Sequence, residues 1–173
     1  MFFKKGQAFY ADFLIGLLIL IFITFVFTRT IIDLNSREDK LQGLINDGVS
    51  ISNSIISGAY GSYGGWSSYP PKGRLGFIRE GKIIKKDFDN FLNLINQGEE
   101  GYKKTKILLG AKNDYMLYFE YEGNKLSYGG RNVYGKHDKI EEIKADNIIK
   151  IKRIAYYNLD NSGKIVNMII LVF

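Results

Sequence analysis

The chain has 173 residues, with 24 Lys and Arg against 18 Asp and Glu, and is 46% hydrophobic and 14% aromatic. This balance excludes a disordered polar chain and a collagen-like repeat, and the lack of cysteine excludes a disulfide framework, a thiolate zinc site and a cysteine nucleophile. A single histidine, His137, excludes any site built on two imidazoles. The net charge of +6 is spread along the chain between acids, which reads as a solvated basic surface and argues against nucleic acid as a partner.

The first element is apolar. Residues 13–27 read FLIGLLILIFITFVF, interrupted only by Gly16 and Thr24. With residues 8–10 and Thr28 the stretch reaches the roughly 20 residues that a helix needs to cross a ~30 Å hydrocarbon core. Thirteen apolar side chains (fifteen residues less Gly16 and Thr24) favour insertion by roughly 4–8 kcal/mol. Asp12 costs about 3 kcal/mol at mid-bilayer and less near a helix end, so insertion wins. The expected span is about 8–28, with Phe13, Leu14, Leu17, Leu18, Ile21, Phe22 and Phe25 as its membrane residues. A soluble core helix keeps a polar face, which this one lacks. The run is also longer than a secretory h-region, and no small-x-small site follows it, so it is expected to be retained as an anchor. Lys4 and Lys5 lie on the short amino-terminal side, which places that end in the cytoplasm and the remainder outside, in a single pass.

Lys4-Lys5-Gly6-Gln7, followed at once by an apolar helix with one acid near its start, resembles a class III (prepilin-type) signal peptide. The resemblance is to archaeal type IV pilin-like proteins. It implies cleavage between Gly6 and Gln7 by a membrane prepilin peptidase, with the apolar helix kept on the mature chain and other pilin-like subunits as partners. Phe9 and Ala11 stand at the third and fifth mature positions, where Ser and Glu are usual, and the acid, Asp12, comes one residue later. That departure implies an accessory or minor subunit. A carboxylate in the first helical turn is favoured by the helix dipole but costly in lipid unless paired. Asp12 is therefore a candidate assembly contact, for instance with the freed amine of a neighbouring subunit. The bland alternative is an interfacial acid that pairs with nothing.

Helical periodicity continues past Arg29, through Leu34, Leu41, Leu44, Ile45, Val49, Ile51, Ser52 and Ile55, with Asp33, Arg37, Lys40 and Asp47 on other faces. Gly43 and Gly48 each weaken such a helix by ~1 kcal/mol relative to Ala. The expected organisation is a leader over 1–6, a long helix over 7–57 whose second half is an amphipathic stalk, a Gly/Ser/Tyr-rich loop over 58–76, and an extracytoplasmic head over 77–173. Gly61, Gly64 and Gly65 in the loop match no phosphate-binding pattern, and Trp66 is expected to plug the loop onto the head.

In the head, Phe77-Ile78 and Ile83-Ile84 around Glu80-Gly81 predict a short hairpin. Asp87 is expected to cap a helix with Phe88, Phe91, Leu92 and Ile95 on one face. A second short helix from about Glu99 ends at Gly110. Residues 115–121 alternate as a strand, and Gly123-Asn124 is expected to turn into a partner strand over 125–128; residues 129–146 read as loop. A closing hairpin pairs 147–158 with 164–173 about Asp160–Gly163. Lys150, Lys152 and Tyr156 share a face with Ile148 and Ile154, and MIILVF reads as a central buried strand. The fold class is therefore α+β: a long N-terminal transmembrane and amphipathic helix packed on a small antiparallel sheet head, a type IV pilin-like layout. Three blocks extend the resemblance over most of the chain. They are Tyr102-x-x-Thr105-Lys106-x-Leu108-Leu109-Gly110 with Asp114-Tyr115, Gly65-Trp66 ahead of Gly76, and the closing basic strand, turn and apolar strand.

Chemistry is sparse. Glu99-Glu100 and Glu141-Glu142 are adjacent acids that point apart, a poor general acid/base pair. His137 lies in a loop without a second ligand and reads as solvated, and no Gly-x-Ser-x-Gly elbow is present. The expectation is a non-enzymatic chain without cofactor or metal, anchored in membrane lipid and assembling into a surface filament through its apolar helix. The rival from another class is a monomeric signal-anchored extracytoplasmic binding protein, and a third reading is an anchored enzyme.

Overall fold

The computed structural model describes residues 3–56, 76–160 and 163–173, with side chains given from Tyr10 onward. Trp66 and the glycines before it lie outside the described residues, as do all of 57–75. Contacts divide the chain into two compact units, Met1–Lys40 and Leu41–Phe173. Helix α1, Phe3–Ile56, runs through both.

The second unit is an α+β layout in which the tail of α1 packs against a mixed sheet. Its elements in chain order are β1 (Ile78–Arg79), β2 (Lys82–Ile83), α2 (Lys85–Ile95), α3 (Glu99–Leu109), β3 (Tyr115–Tyr121), β4 (Asn124–Lys125), β5 (Tyr134–Gly135), β6 (Ile149–Tyr157) and β7 (Lys164–Val172). The sheet order is β1-β2-β6-β7-β3-β4, with β5 also pairing β3. The long closing hairpin is in register from Ile149↔Val172 to Tyr157↔Lys164. On its other side β7 pairs β3 from Tyr115↔Val172 to Glu120↔Asn167. Strand β7 is thus central, and residues 168–172 are buried on both faces, as a continuous apolar run requires. The sheet is not purely antiparallel, because β2 meets β6 in parallel at Lys82↔Tyr156.

The main core lies on one face of the sheet. Phe77, Phe88, Phe119, Tyr134 and Tyr157 meet there, with Phe88 at 4.9 Å from Phe77 and 5.2 Å from Tyr134, both edge-on. Edge-to-face contacts of this kind add about 1 kcal/mol each beyond the area buried. Leu44, Ile51 and Ile55 of α1 belong to the same cluster. A smaller cluster, Met116, Tyr118, Val133, Ile169 and Leu171, covers part of the opposite face, with Ile140 and Ile143 of the preceding loop packed on it.

Several local expectations change. The face that α1 buries runs through Leu44, Asp47, Gly48, Ile51, Ser52 and Ile55, while Val49 stays 41% exposed. Asp47, expected on an outer face, is buried. Gly48 sits where a Cβ would come 2.5 Å from Ile151 Cδ1, so its small size lets helix and sheet approach closely. Helix α2 begins at Lys85, and Asp87 does not cap it: its carboxylate is held by the Arg79 guanidinium. The turn after β3 is Glu122-Gly123, both at positive φ, and Asn124 already pairs with Tyr121, so the returning strand stops at Lys125. The stretch 129–146 is not all loop, for Tyr134 is fully buried and pairs with Leu117.

Candidate functional site

In the first unit every described side chain from Tyr10 to Lys40 is exposed. Phe13, Leu14, Leu17, Leu18, Ile21, Phe22 and Phe25 lie in this bare stretch, Phe13 being 65% exposed. Over residues 13–27 apolar side chains cover it on all sides, and an exposed apolar surface of that length marks contact with a membrane or another protein. Its threonine hydroxyls are satisfied within the helix. Thr24 donates to Leu20 O at 2.8 Å, Thr28 to Thr24 O at 2.8 Å and Thr30 to Val26 O at 2.9 Å. Internal satisfaction of this kind is what a hydrocarbon surrounding demands. The window from Tyr10 is long and apolar enough to cross a membrane. Asp12 is exposed at its start and has no hydrogen bond or ion pair among the described residues. Lys4, Lys5, Gly6 and Gln7 have helical backbone within α1, which reaches back to Phe3; their side chains lie outside the described set.

In the second unit polar groups bolt the tail of α1 to the rest. One oxygen of Asp47 accepts the backbone N–H groups of Lys112 and Asn113 at 2.7 and 2.6 Å and the Asn113 side-chain amide at 2.9 Å. Ser50 donates to Leu109 O at 3.2 Å, so a helical hydroxyl satisfies an orphan carbonyl at the end of α3. Arg153 Nε donates to the fully buried Ser52 Oγ at 2.7 Å, tying β6 to α1. No motif in the sequence marks these residues. Their one signal is the placing of Asp47 and Ser50 beside the apolar stripe and of Ser52 within it.

A second polar group surrounds Asp114. Lys106 Nζ donates to it at 2.8 Å and Tyr102 OH at 3.0 Å, while Lys136 stands 3.9 Å away. Burial alone pushes the Asp114 carboxyl up. The hydrogen bonds from Lys106 and Tyr102, with the charges of Lys106 and Lys136, outweigh that and hold it below the usual carboxylate range. Tyr102 OH also accepts the Tyr115 N–H at 3.0 Å, and Tyr115 OH donates to Thr105 Oγ1 at 2.6 Å. Burial pushes both phenols well above their ordinary value. Tyr102 and Thr105 belong to the block that carried the family resemblance; the fold uses them to fasten α3 to β3.

A cleft of about 390 Å³ opens beside this network, lined by Tyr102, Glu99, Arg131, Lys136, His137 and Glu142 among others. Its polar groups are partnered: Arg131 meets Asp138 at 3.0 Å, His137 Nδ1 lies 3.7 Å from Glu142, and Lys136 Nζ sits 5.5 Å from the Tyr102 ring centroid. His137 is not fully solvated as expected, because its ring stacks on Phe173 at 5.9 Å. Among the described residues no cluster of three or more His, Asp or Glu is placed to hold a metal. The cleft offers paired polar groups.

No family model, curated protein or solved structure matches this chain. The described residues define an α+β chain with one N-terminal helix long and apolar enough to cross a membrane.

Proposed function

We propose that the chain is a non-enzymatic, membrane-anchored pilin-like subunit, accessory or minor in an archaeal type IV pilus-like surface filament. The observation that carries this reading is the character of α1. It joins a bare apolar stretch, with its threonine hydroxyls satisfied internally, to a tail built into the core of an α+β unit. Lys4-Lys5-Gly6-Gln7 ahead of that stretch supplies the leader, and Gly6-Gln7 the bond for a prepilin peptidase. After cleavage the helix stays in lipid, with the head outside, and associates laterally with other pilin-like subunits. Asp12 meets a neighbour's amine, because a carboxylate at that depth needs a partner.

Intact mass of the protein extracted from membranes tests the reading. Loss of residues 1–6 is expected, and Gly6→Leu is expected to block it, since a bulky side chain cannot enter a site that takes glycine. An intact amino terminus in the native host overturns the pilin-like reading. It would leave the monomeric signal-anchored binding protein, which the cleft beside Tyr102 favours.

A further inference from the structure

Among the described residues, strand β6 is paired along its whole length on one edge only. β7 takes the inner edge over nine residues. On the outer edge β2 reaches it at one position, Lys82↔Tyr156, where the Tyr156 N–H donates to Gly81 O at 2.6 Å. Backbone groups alternate in direction along a strand. Since Tyr156 points its N–H outward, so do Ile154, Lys152 and Lys150, together with their carbonyls. Among the described residues none of these six groups has a partner.

The side chains on this edge are chemically selective. Lys150 and Lys152 are exposed and free of ion pairs among the described residues, and Ile154 is 71% exposed beside them. They share one sheet face with Ile165, also 71% exposed, and with Tyr156 at 39%. A second copy of the same edge is a poor occupant. Antiparallel self-pairing centred on Lys152 sets lysine against lysine, and like charges directly opposite are destabilising. Single-stranded nucleic acid needs open aromatic faces to stack on, and Tyr156 alone on this stretch is only partly open.

We propose that the outer edge of β6 is a strand-addition site for an extended acidic polypeptide segment. The incoming strand takes the outward N–H and C=O groups of Lys150, Lys152 and Ile154. It sets carboxylates across from the two lysines and an apolar side chain across from Ile154. Main-chain bonds supply affinity and the alternate side chains supply selectivity. The site is independent of how α1 is anchored or processed.

The probe is a synthetic peptide with glutamates at alternate positions followed by isoleucine, offered to the full-length protein in detergent micelles. Slowed amide exchange at Lys150, Lys152 and Ile154 is expected on binding. Lys150→Glu with Lys152→Glu is expected to weaken binding at least about tenfold, and to transfer preference to the matching lysine peptide. Ile154→Pro removes one outward donor without touching the β7 ladder. It is expected to lower affinity while leaving the far-ultraviolet circular dichroism unchanged, and it decides the matter should the charge reversal not fold. Protection at other amides, affinity indifferent to the sign of the peptide, or the same three amides protected by an oligo-deoxythymidine in place of the acidic peptide overturns the site.

Discussion

Asp47 on α1 and Asn113 on the approach to β3 are 66 residues apart in sequence, yet the Asp47 carboxylate accepts the Asn113 backbone N–H at 2.6 Å. The same oxygen takes two further donors. One buried charge thereby joins the helix tail to the α3–β3 connection. A carboxylate hydrogen-bonded to neutral amides is stronger than a neutral pair, and removing it strands those amides.

Asp47→Ala is accordingly expected to destabilise the second unit by about 2–3 kcal/mol. Asp47→Asn keeps an acceptor oxygen and is expected to cost less. Thermal unfolding in detergent, followed by near-ultraviolet circular dichroism, orders the two. Equal melting temperatures for wild type and Asp47→Ala would contradict the bolt.

Two glycines separate helix propensity from packing. Gly43 lies inside α1 with open space where a Cβ would stand, so Gly43→Ala is expected to stabilise by about 0.5–1 kcal/mol. Gly101 lies in α3, where a Cβ would be driven into the Leu94 carbonyl of α2. Gly101→Ala is expected to cost about 3 kcal/mol or more, since backbone cannot step aside as a side chain can. Denaturant midpoints of the two variants should move in opposite directions.

The pH response has two limbs. The carboxyl of Asp114 is held below its ordinary value of 3.8 in the folded chain, so the unfolded chain binds protons more readily in acid. The contribution of Asp114 is therefore complete above about pH 4 and is lost as pH falls toward its folded value. Tyr128 and Tyr157 run the other way, each pushed up to about 12. Burial is the larger cause in both, with the Asp89 hydrogen bond added at Tyr128 and the Asp160 charge at Tyr157. The unfolded phenol loses its proton first, so stability is full below about pH 10 and declines as pH rises toward 12. Asp114→Asn is expected to flatten the acid limb and leave the alkaline one in place. Melting temperatures across pH 3–11 read both limbs.

Tyr157 presents a contrasting case, because its hydroxyl is buried and has no hydrogen-bond partner among the described residues. The ring packs edge-on against Phe119 at 5.7 Å, and Tyr157→Phe keeps that contact. The variant is expected to match or exceed wild-type stability, by up to about 1 kcal/mol, because it removes an unsatisfied buried polar atom. It is also expected to lessen the alkaline decline. A clear drop in melting temperature would mean that the hydroxyl is bonded after all.

Much of the architecture is written locally. The apolar stretch of α1, the Glu80-Gly81 hairpin, the end of α3 at Gly110 and the closing hairpin each follow from neighbouring residues, through hydropathy, turn chemistry or a two-residue alternation. Even the misfit of Lys150 and Lys152 beside Ile154 was visible as an imperfect strand. The expected cap at Asp87 failed for a reason outside its own helix: Arg79 on β1 claims the carboxylate. Likewise the burial of Tyr134 depends on β3 offering a second pairing edge within a stretch that looks polar.

By itself the sequence determined that one helix is greasy enough for lipid and that an α+β unit follows, because both depend on residues within a few turns of each other. Only tertiary structure decided that Asp47 faces inward, that Gly48 lies against Ile151, and that the described residues pair the outer edge of β6 at one position alone. Those outcomes hinge on partners tens of residues distant, and a hydrogen bond or close approach across such a separation leaves no period in the chain to read.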